Sequence, residues 1–178
     1  MKENIFIFKI LLPITICFIL INIVKIPFSF YPLSFGLIIG LANWNIYKYK
    51  LFLGVLLSIF VSYLAFFIAY FSFTITGKMF SFMKGDSGSV LGIVISTYII
   101  APLLVFTFYK FVFKIINSKI TIFIIIASIS ILVLMFYFLF SVELIHESLD
   151  LYTIWQMIMI LALQLIIYQS KIFKPIKK

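Results

Sequence analysis

Residues 51–77 read LFLGVLLSIFVSYLAFFIAYFSFTITG and carry no charged side chain. A helix needs about 20 apolar residues to cross the hydrocarbon core of a bilayer, and this stretch is longer. The whole chain has the same character, since 65% of its 178 residues are hydrophobic, 11% are charged and the mean hydropathy is +1.29. Soluble domains carry about 25% charged residues. The sequence therefore predicts an all-α fold, a polytopic transmembrane helix bundle in which residues 1–178 form a single integral membrane domain.

Charged residues divide the chain into six uncharged intervals, each close to the length of a membrane span. The predicted spans cover about residues 9–24, 30–47, 51–76, 88–109, 120–142 and 151–170. Pro27 and Pro32 stand at the start of the second interval, so we expect its helix to be short or partly re-entrant. A five-span alternative leaves this second segment out of the membrane.

The basic residues orient these spans. All 14 are lysine, and the net charge is +9. With six alternating spans, every lysine except Lys25, Lys78 and Lys84 falls on one side of the membrane. Because basic residues concentrate in cytoplasmic loops, we predict cytoplasmic termini. The lysine-only, Ile- and Phe-rich composition is typical of AT-rich bacteria. Together with the predicted helical spans, it leads us to expect a multi-pass protein of the inner (cell) membrane. The five-span alternative places the N-terminus outside.

Small residues form a stripe along the third span. At 100° per residue they lie within an arc of about 80°, so they share one face of the helix. This small-residue stripe consists of Gly54, Ser58, Ser62, Ala65, Ala69, Ser72 and Thr76, and the second span adds Gly36 and Gly40. Small side chains let helix backbones approach closely within a bilayer. We therefore predict a helix-packing seam here, either within one subunit or between the subunits of an oligomer.

The sixth span carries polar side chains on one face. Thr153, Gln156 and Gln164 lie within about 120° of one another when they are placed on a helix. Buried amides usually form hydrogen bonds to a neighbouring helix, and this is the simpler interpretation. The alternative is that these residues line a polar solute site or an oligomer interface.

The loop before the sixth span concentrates the acidic residues of the chain. Glu143, His146, Glu147 and Asp150 would share one face of a helix, because they are spaced i, i+3, i+4 and i+7. We interpret them as a solvated acidic cap, with a cation or pH site as the alternative. The chain has one His and one Cys, Cys17, too few ligands for a closed zinc site. No metal and no cofactor are predicted.

The sequence Gly85-Asp86-Ser87-Gly88 precedes the fourth span and resembles the Gly-x-Ser-Gly nucleophile motif of rhomboid intramembrane proteases. That family also has six helices and cytoplasmic termini, and the resemblance implies Ser87 as a nucleophile with His146 as its base. The chain departs from the family because His146 precedes the sixth span, and the family's glycine spacing is absent from residues 151–170. The alternative interpretation is a turn followed by a helix N-cap.

Aromatic residues are spread through every span. Tyrosine and tryptophan prefer the membrane interface, where their polar atoms meet water. The residues near predicted span ends are Trp44, Tyr47, Tyr49, Tyr109 and Trp155. We predict that they form an interfacial belt.

Three function classes fit these features. The first is a non-enzymatic sensor, anchor or accessory subunit for a partner, for example a phage-defence or bacteriocin-immunity component, and it is the prediction we favour. The second is a small-solute permease or its substrate-binding membrane subunit, and the third is a rhomboid-like hydrolase. No residue is assigned as catalytic under the first two classes. The expected partners are the lipid bilayer and either another protein or further copies of the chain. Nucleic acid is excluded.

Overall fold

The computed structural model describes residues 6–82, 87–141 and 151–173, and it confirms the all-α prediction, because these residues contain helices and no β-strand. The helices, numbered in chain order, are α1 in three continuous pieces (Phe6–Leu11, Leu12–Phe18 and Ile19–Ile23), α2 (Tyr31–Ala42, after a 3₁₀ turn at Phe28–Phe30), α3 (Leu51–Met79), α4 in three continuous pieces (Ser87–Ile93, Val94–Ile100 and Ala101–Val112), α5 (Lys119–Ser141) and α6 (Leu151–Ile172).

Four of these helices are long and apolar enough to cross a membrane, judged by length and composition. They are Leu51–Met79, Gly88–Val112, Lys119–Leu139 and Leu151–Ile172. Two shorter apolar helices cover Phe8–Ile23 and Phe28–Ala42. These helices support the prediction of a membrane protein, whereas the number of crossings and the side of each terminus stay predictions.

The second helix ends at Ala42 and does not continue to residue 47. Asparagines compete with helical hydrogen bonding through their own side chains, and a turn begins at Asn43, whose carbonyl accepts from the N–H of Ile46 over 2.9 Å. The chain then runs beside the segment that follows α4. The N–H of Lys48 donates to the carbonyl of Val112 over 3.1 Å, and an isolated antiparallel bridge joins residues 47 and 113.

The helices pack as a closed ring. In the described residues α3 packs against α2 and α4, α5 packs against α4 and α6, and α1 packs against α2 and α6. Helix α2 also contacts α6 across the ring. Four helices, α2, α3, α4 and α6, thus surround the space in which the candidate site lies.

Proline changes the hydrogen-bond pattern of two helices. Pro13 in α1 and Pro102 in α4 each stand two residues after the end of a π-helical segment. A proline inside a helix has no N–H to donate, and its ring clashes with the carbonyl of the preceding turn, so the helix widens there. Single wide turns of this kind often occur at functional sites.

Candidate functional site

A cavity of about 310 Å³ lies between α2, α3, α4 and α6. Its size falls at the lower end of the range for small-molecule sites, roughly 300 to 1,000 Å³. Aromatic residues make up eight of its 17 lining residues. The aromatic lining residues are Phe28, Tyr31, Phe35, Phe66, Tyr70, Phe73, Tyr152 and Trp155. They come from the beginning of α2 and of α6 and from the second half of α3, so the cavity occupies the end of the bundle where these segments meet.

Phe28 joins three walls of the cavity. Its ring makes edge contacts with Tyr31, Phe66 and Tyr152, with ring centroids 5.3, 5.4 and 4.8 Å apart. Edge-to-face contacts of this kind are worth about 0.5 to 1.5 kcal/mol each beyond the area that they bury. The ring is 45% exposed, so it lies at the mouth of the cavity and covers part of it.

Polar groups lie deeper in the cavity. The side chain of Gln156 is 4% exposed, and its Oε1 accepts a hydrogen bond from the Sγ of Cys17 over 3.5 Å. The hydroxyl of Ser62 lies 2.8 Å from that of Tyr109, and both hydroxyls also reach the carbonyl of Ser58. Gln156 and Ser62 therefore form a small polar floor, and each is held by a neighbouring helix.

Stacked aromatic rings lie beyond this floor. Phe113 stacks on Tyr109 at 5.7 Å and on Tyr47 at 4.9 Å, and all three side chains are buried. The Tyr47 hydroxyl lies 3.5 Å from the Oγ of Ser58. Burial raises the pKa of Tyr47, and its hydrogen bond with Ser58 lowers that pKa in part, so the phenol is neutral at physiological pH. The polar floor of the cavity is therefore backed by buried aromatic rings.

Trp155 is held in the cavity wall by a carbonyl that a proline leaves free. In a π-helix a carbonyl accepts from the N–H five residues later, as that of Ser96 does from Ala101. The next carbonyl, that of Thr97, would need the N–H of Pro102, which has none. The Nε1 of Trp155 donates to the Thr97 carbonyl over 2.8 Å instead. The widened turn of α4 thus fixes the indole of α6.

Of the polar residues predicted on the sixth span, Gln156 lines the cavity. Thr153 and Gln164 are fully buried and are not among its lining residues. The Oγ1 of Thr153 and both amide atoms of Gln164 have no hydrogen-bond partner in the described residues. The structure therefore does not bring the three side chains together at one site.

The first half of the small-residue stripe packs against α2. A Cβ atom added to Gly36 would lie 2.6 Å from the Cα of Ile59 and 2.8 Å from the carbonyl oxygen of Ser58, so the two backbones are in direct contact. Gly40 and Gly54 both face the side chain of Tyr47. Here the stripe forms a helix interface within one chain.

The second half of the stripe has two different neighbours. Ser62, Ala65 and Ala69 line the cavity, where their small side chains leave room between the helices. Ser72 is half-buried and donates to a carbonyl of its own helix. Thr76 reaches α4, with its Oγ1 3.2 Å from the Oγ of Ser96. The stripe therefore serves both as a packing surface and as a cavity wall.

Two other predicted sites lie outside the described residues. These are the acidic group of Glu143, His146, Glu147 and Asp150, and the serine motif, in which Gly85, Asp86 and the side chain of Ser87 are not described. The cation-site, pH-site and hydrolase interpretations therefore stay predictions. Within the described ranges, no group of three or more His, Cys, Asp or Glu residues is placed to hold a metal ion.

The aromatic wall is the part of the site that sequence reasoning missed. Trp44 and Tyr49 are exposed as an interfacial belt requires, but Tyr47 and Tyr109 are buried and Trp155 lines the cavity. A usable signal was present, because aromatic residues stand at the adjoining ends of the second, third and sixth spans. No known protein family, characterised protein or solved structure shows significant similarity to this chain.

Proposed function

We propose that the protein is a membrane-embedded binding protein that holds a small, uncharged, largely aromatic molecule, and that it acts as the substrate-binding membrane subunit of a permease. The observation that carries the proposal is the cavity of about 310 Å³, which has aromatic walls and a polar floor. With the predicted cytoplasmic termini, its mouth faces the outside of the cell.

The lining chemistry supports this class of ligand. Aromatic walls favour planar or apolar molecules through stacked and edge contacts. The described lining residues include no charged side chain, so a charged ligand would lose its hydration without an ionic partner. Gln156 and Ser62 together provide amide and hydroxyl groups that can both donate and accept hydrogen bonds. The fitting ligand is therefore neutral and carries one or two polar groups at one end.

The same geometry is also compatible with a protein that works as the accessory subunit of a partner. The buried aromatic stack at residues 47, 109 and 113 lies beyond the cavity floor. Release towards the cytoplasm would require another conformation, and a partner protein could supply the energy for it. A sensor whose partner responds to occupancy of the cavity would need the same binding step.

Binding can be measured with tryptophan fluorescence. The chain has two tryptophans, and Trp44→Phe leaves Trp155, in the cavity wall, as the only reporter. We expect neutral aromatic compounds to quench or shift this emission in the purified protein. Mass spectrometry of material extracted from the protein would identify a ligand retained from the cell.

Two variants test whether such binding uses the cavity. Ala69→Phe fills part of it without adding a second tryptophan and should abolish binding, whereas Ala127→Phe on α5, which does not line the cavity, should not. Gln156→Leu removes the polar floor and should weaken binding about tenfold, the value of one buried hydrogen bond. Unchanged affinity in Ala69→Phe would disprove the proposed site.

A further inference from the structure

A second cavity, of about 670 Å³, is a groove between α1 and α2 on the side of the bundle. Its lining is almost entirely apolar, and several of its side chains, such as Leu12 and Leu41, are exposed. Lys9 lines the groove at the end where α1 begins and α2 finishes. The groove therefore combines a long apolar surface with a cation at one end.

The cation is held in place and has a second cation beside it. The Nζ of half-buried Lys9 donates to the carbonyl of Ala42 over 2.7 Å, which uses one of its three donors. Lys171 lies in the last turn of α6, which packs against Phe6–Leu11, the piece of α1 that carries Lys9, and its ammonium lies 5.5 Å from the centre of the Tyr168 ring. An anion bound beside two neighbouring ammonium groups relieves their repulsion.

The length of the groove matches one leaflet of a bilayer. The helical rise from Lys9 to Leu20, both of which line the groove, is roughly 16 Å at 1.5 Å per residue. Half of the hydrocarbon core of a bilayer is roughly 15 Å thick. An acyl chain lying along this groove would therefore bring its phosphate to the level of Lys9.

We propose that the groove between α1 and α2 binds one anionic phospholipid, with an acyl chain along the apolar wall and the phosphate at Lys9 and Lys171. Anionic lipids are concentrated in the cytoplasmic leaflet, on the side where both lysines are predicted to lie. The site is separate from the aromatic cavity and does not depend on the function proposed for it.

Native mass spectrometry of the full chain with added lipid tests the proposal. Phosphatidylglycerol and phosphatidylcholine with identical acyl chains serve as the two probes. We expect a preference for phosphatidylglycerol of about fivefold for each lysine that contacts the phosphate. Lys9→Gln should reduce this preference about fivefold, whereas Lys50→Gln, an exposed lysine outside the groove, should leave it unchanged.

Further variants keep the test decisive if Lys9→Gln does not fold. Lys171→Gln changes an exposed side chain and should reduce the same preference, while Leu12→Trp, which fills the groove, should reduce the binding of both lipids. Equal binding of the two lipids by the wild-type chain would overturn the proposal. So would cross-linking of Leu41→Cys to a second copy of the chain in place of lipid binding, since the groove would then be a protein interface.

Discussion

Trp155 and Pro102 are distant in sequence, yet one carbonyl oxygen couples them. Pro102 leaves the carbonyl of Thr97 without a backbone donor, and the Nε1 of Trp155 supplies one. A buried carbonyl that loses its partner costs about 1 to 3 kcal/mol. The indole of Trp155 therefore stabilises α4 and also lines the cavity.

This coupling predicts the outcome of a double-mutant cycle. Trp155→Phe should lower the free energy of unfolding by about 1 to 3 kcal/mol, because the ring is kept and the donor is lost. In a Pro102→Ala background the backbone regains an N–H that can donate to the Thr97 carbonyl. Trp155→Phe should then lower the free energy of unfolding by much less. Denaturation in mixed micelles measures both values. An equal loss in the two backgrounds would show that the proline is unrelated to the indole contact.

Two buried glutamines of α6 differ in their hydrogen-bond partners, although their residue type is the same. Gln169 donates its Nε2 to the carbonyl of Ile116 over 2.7 Å and accepts from Ser118, which ties the end of α6 to the beginning of α5. Gln164 is equally buried, but its amide has no partner in the described residues. The sequence could predict that both would be buried, whereas their partners depend on the position of neighbouring helices.

At the scale of elements, the contact between α2 and α3 depends on the absence of a side chain at Gly36. The backbone of α3 occupies the space that a Cβ would fill, with Ile59 Cα at 2.6 Å. A backbone atom cannot rotate away as a flexible side chain can, so any larger residue must separate the two helices. This close approach also fixes the distance between the cavity walls that α2 and α3 contribute.

Gly36→Ala should therefore destabilise the protein by about 1 to 3 kcal/mol, the usual cost of overpacking. Gly77→Ala on α3 is the matched control, because nothing lies within 4 Å of its added Cβ. It should be neutral or should stabilise the helix by up to about 1 kcal/mol, the difference in helix propensity between the two residues. Thermal unfolding of the two variants in the same detergent measures the contrast. Equal melting temperatures would contradict direct backbone packing at residue 36.

The helices themselves were predictable, because long uncharged runs have few other structures available in a membrane. The small-residue stripe was predictable as one face of α3. Which part of it packs against α2 and which part lines the cavity was not predictable. At one end of the stripe the backbone of α2 at Gly36 and Gly40 packs closely against α3. In the middle of the stripe Ser62 and Ala65 line the cavity. A cavity is formed by what four helices leave between them, and helical periodicity describes only one helix at a time. The early end of α2 depends in part on the bridge between its following loop and the segment after α4, which is a tertiary contact.

At the scale of the whole molecule, contacts place six helix ends at the same end of the bundle. Lys9 bonds to the end of α2, and the loop before α3 pairs with the segment after α4. Gln169 joins the end of α6 to the beginning of α5. Successive helices therefore run in opposite directions, and this shared end carries most of the lysines of the described residues. The predicted six-span topology follows if all six helices cross.

Cysteine labelling tests this topology against the five-span alternative. Cys17, the single native cysteine, is fully buried, so it should give little background labelling. In right-side-out vesicles a membrane-impermeant maleimide should label Lys78→Cys at once and Asn45→Cys after permeabilisation, in both topologies.

Val24→Cys separates the two topologies. This exposed position follows α1, so six spans place it outside, where it should react before permeabilisation. If α2 does not cross, the N-terminus is outside and position 24 is inside, so labelling should wait for permeabilisation. That second result would contradict the cavity itself, because Phe28 would lie at the cytoplasmic surface, whereas Tyr152, whose ring it contacts, lies at the outer surface in both topologies. The proposed access from outside the cell therefore depends on the accessibility of residue 24.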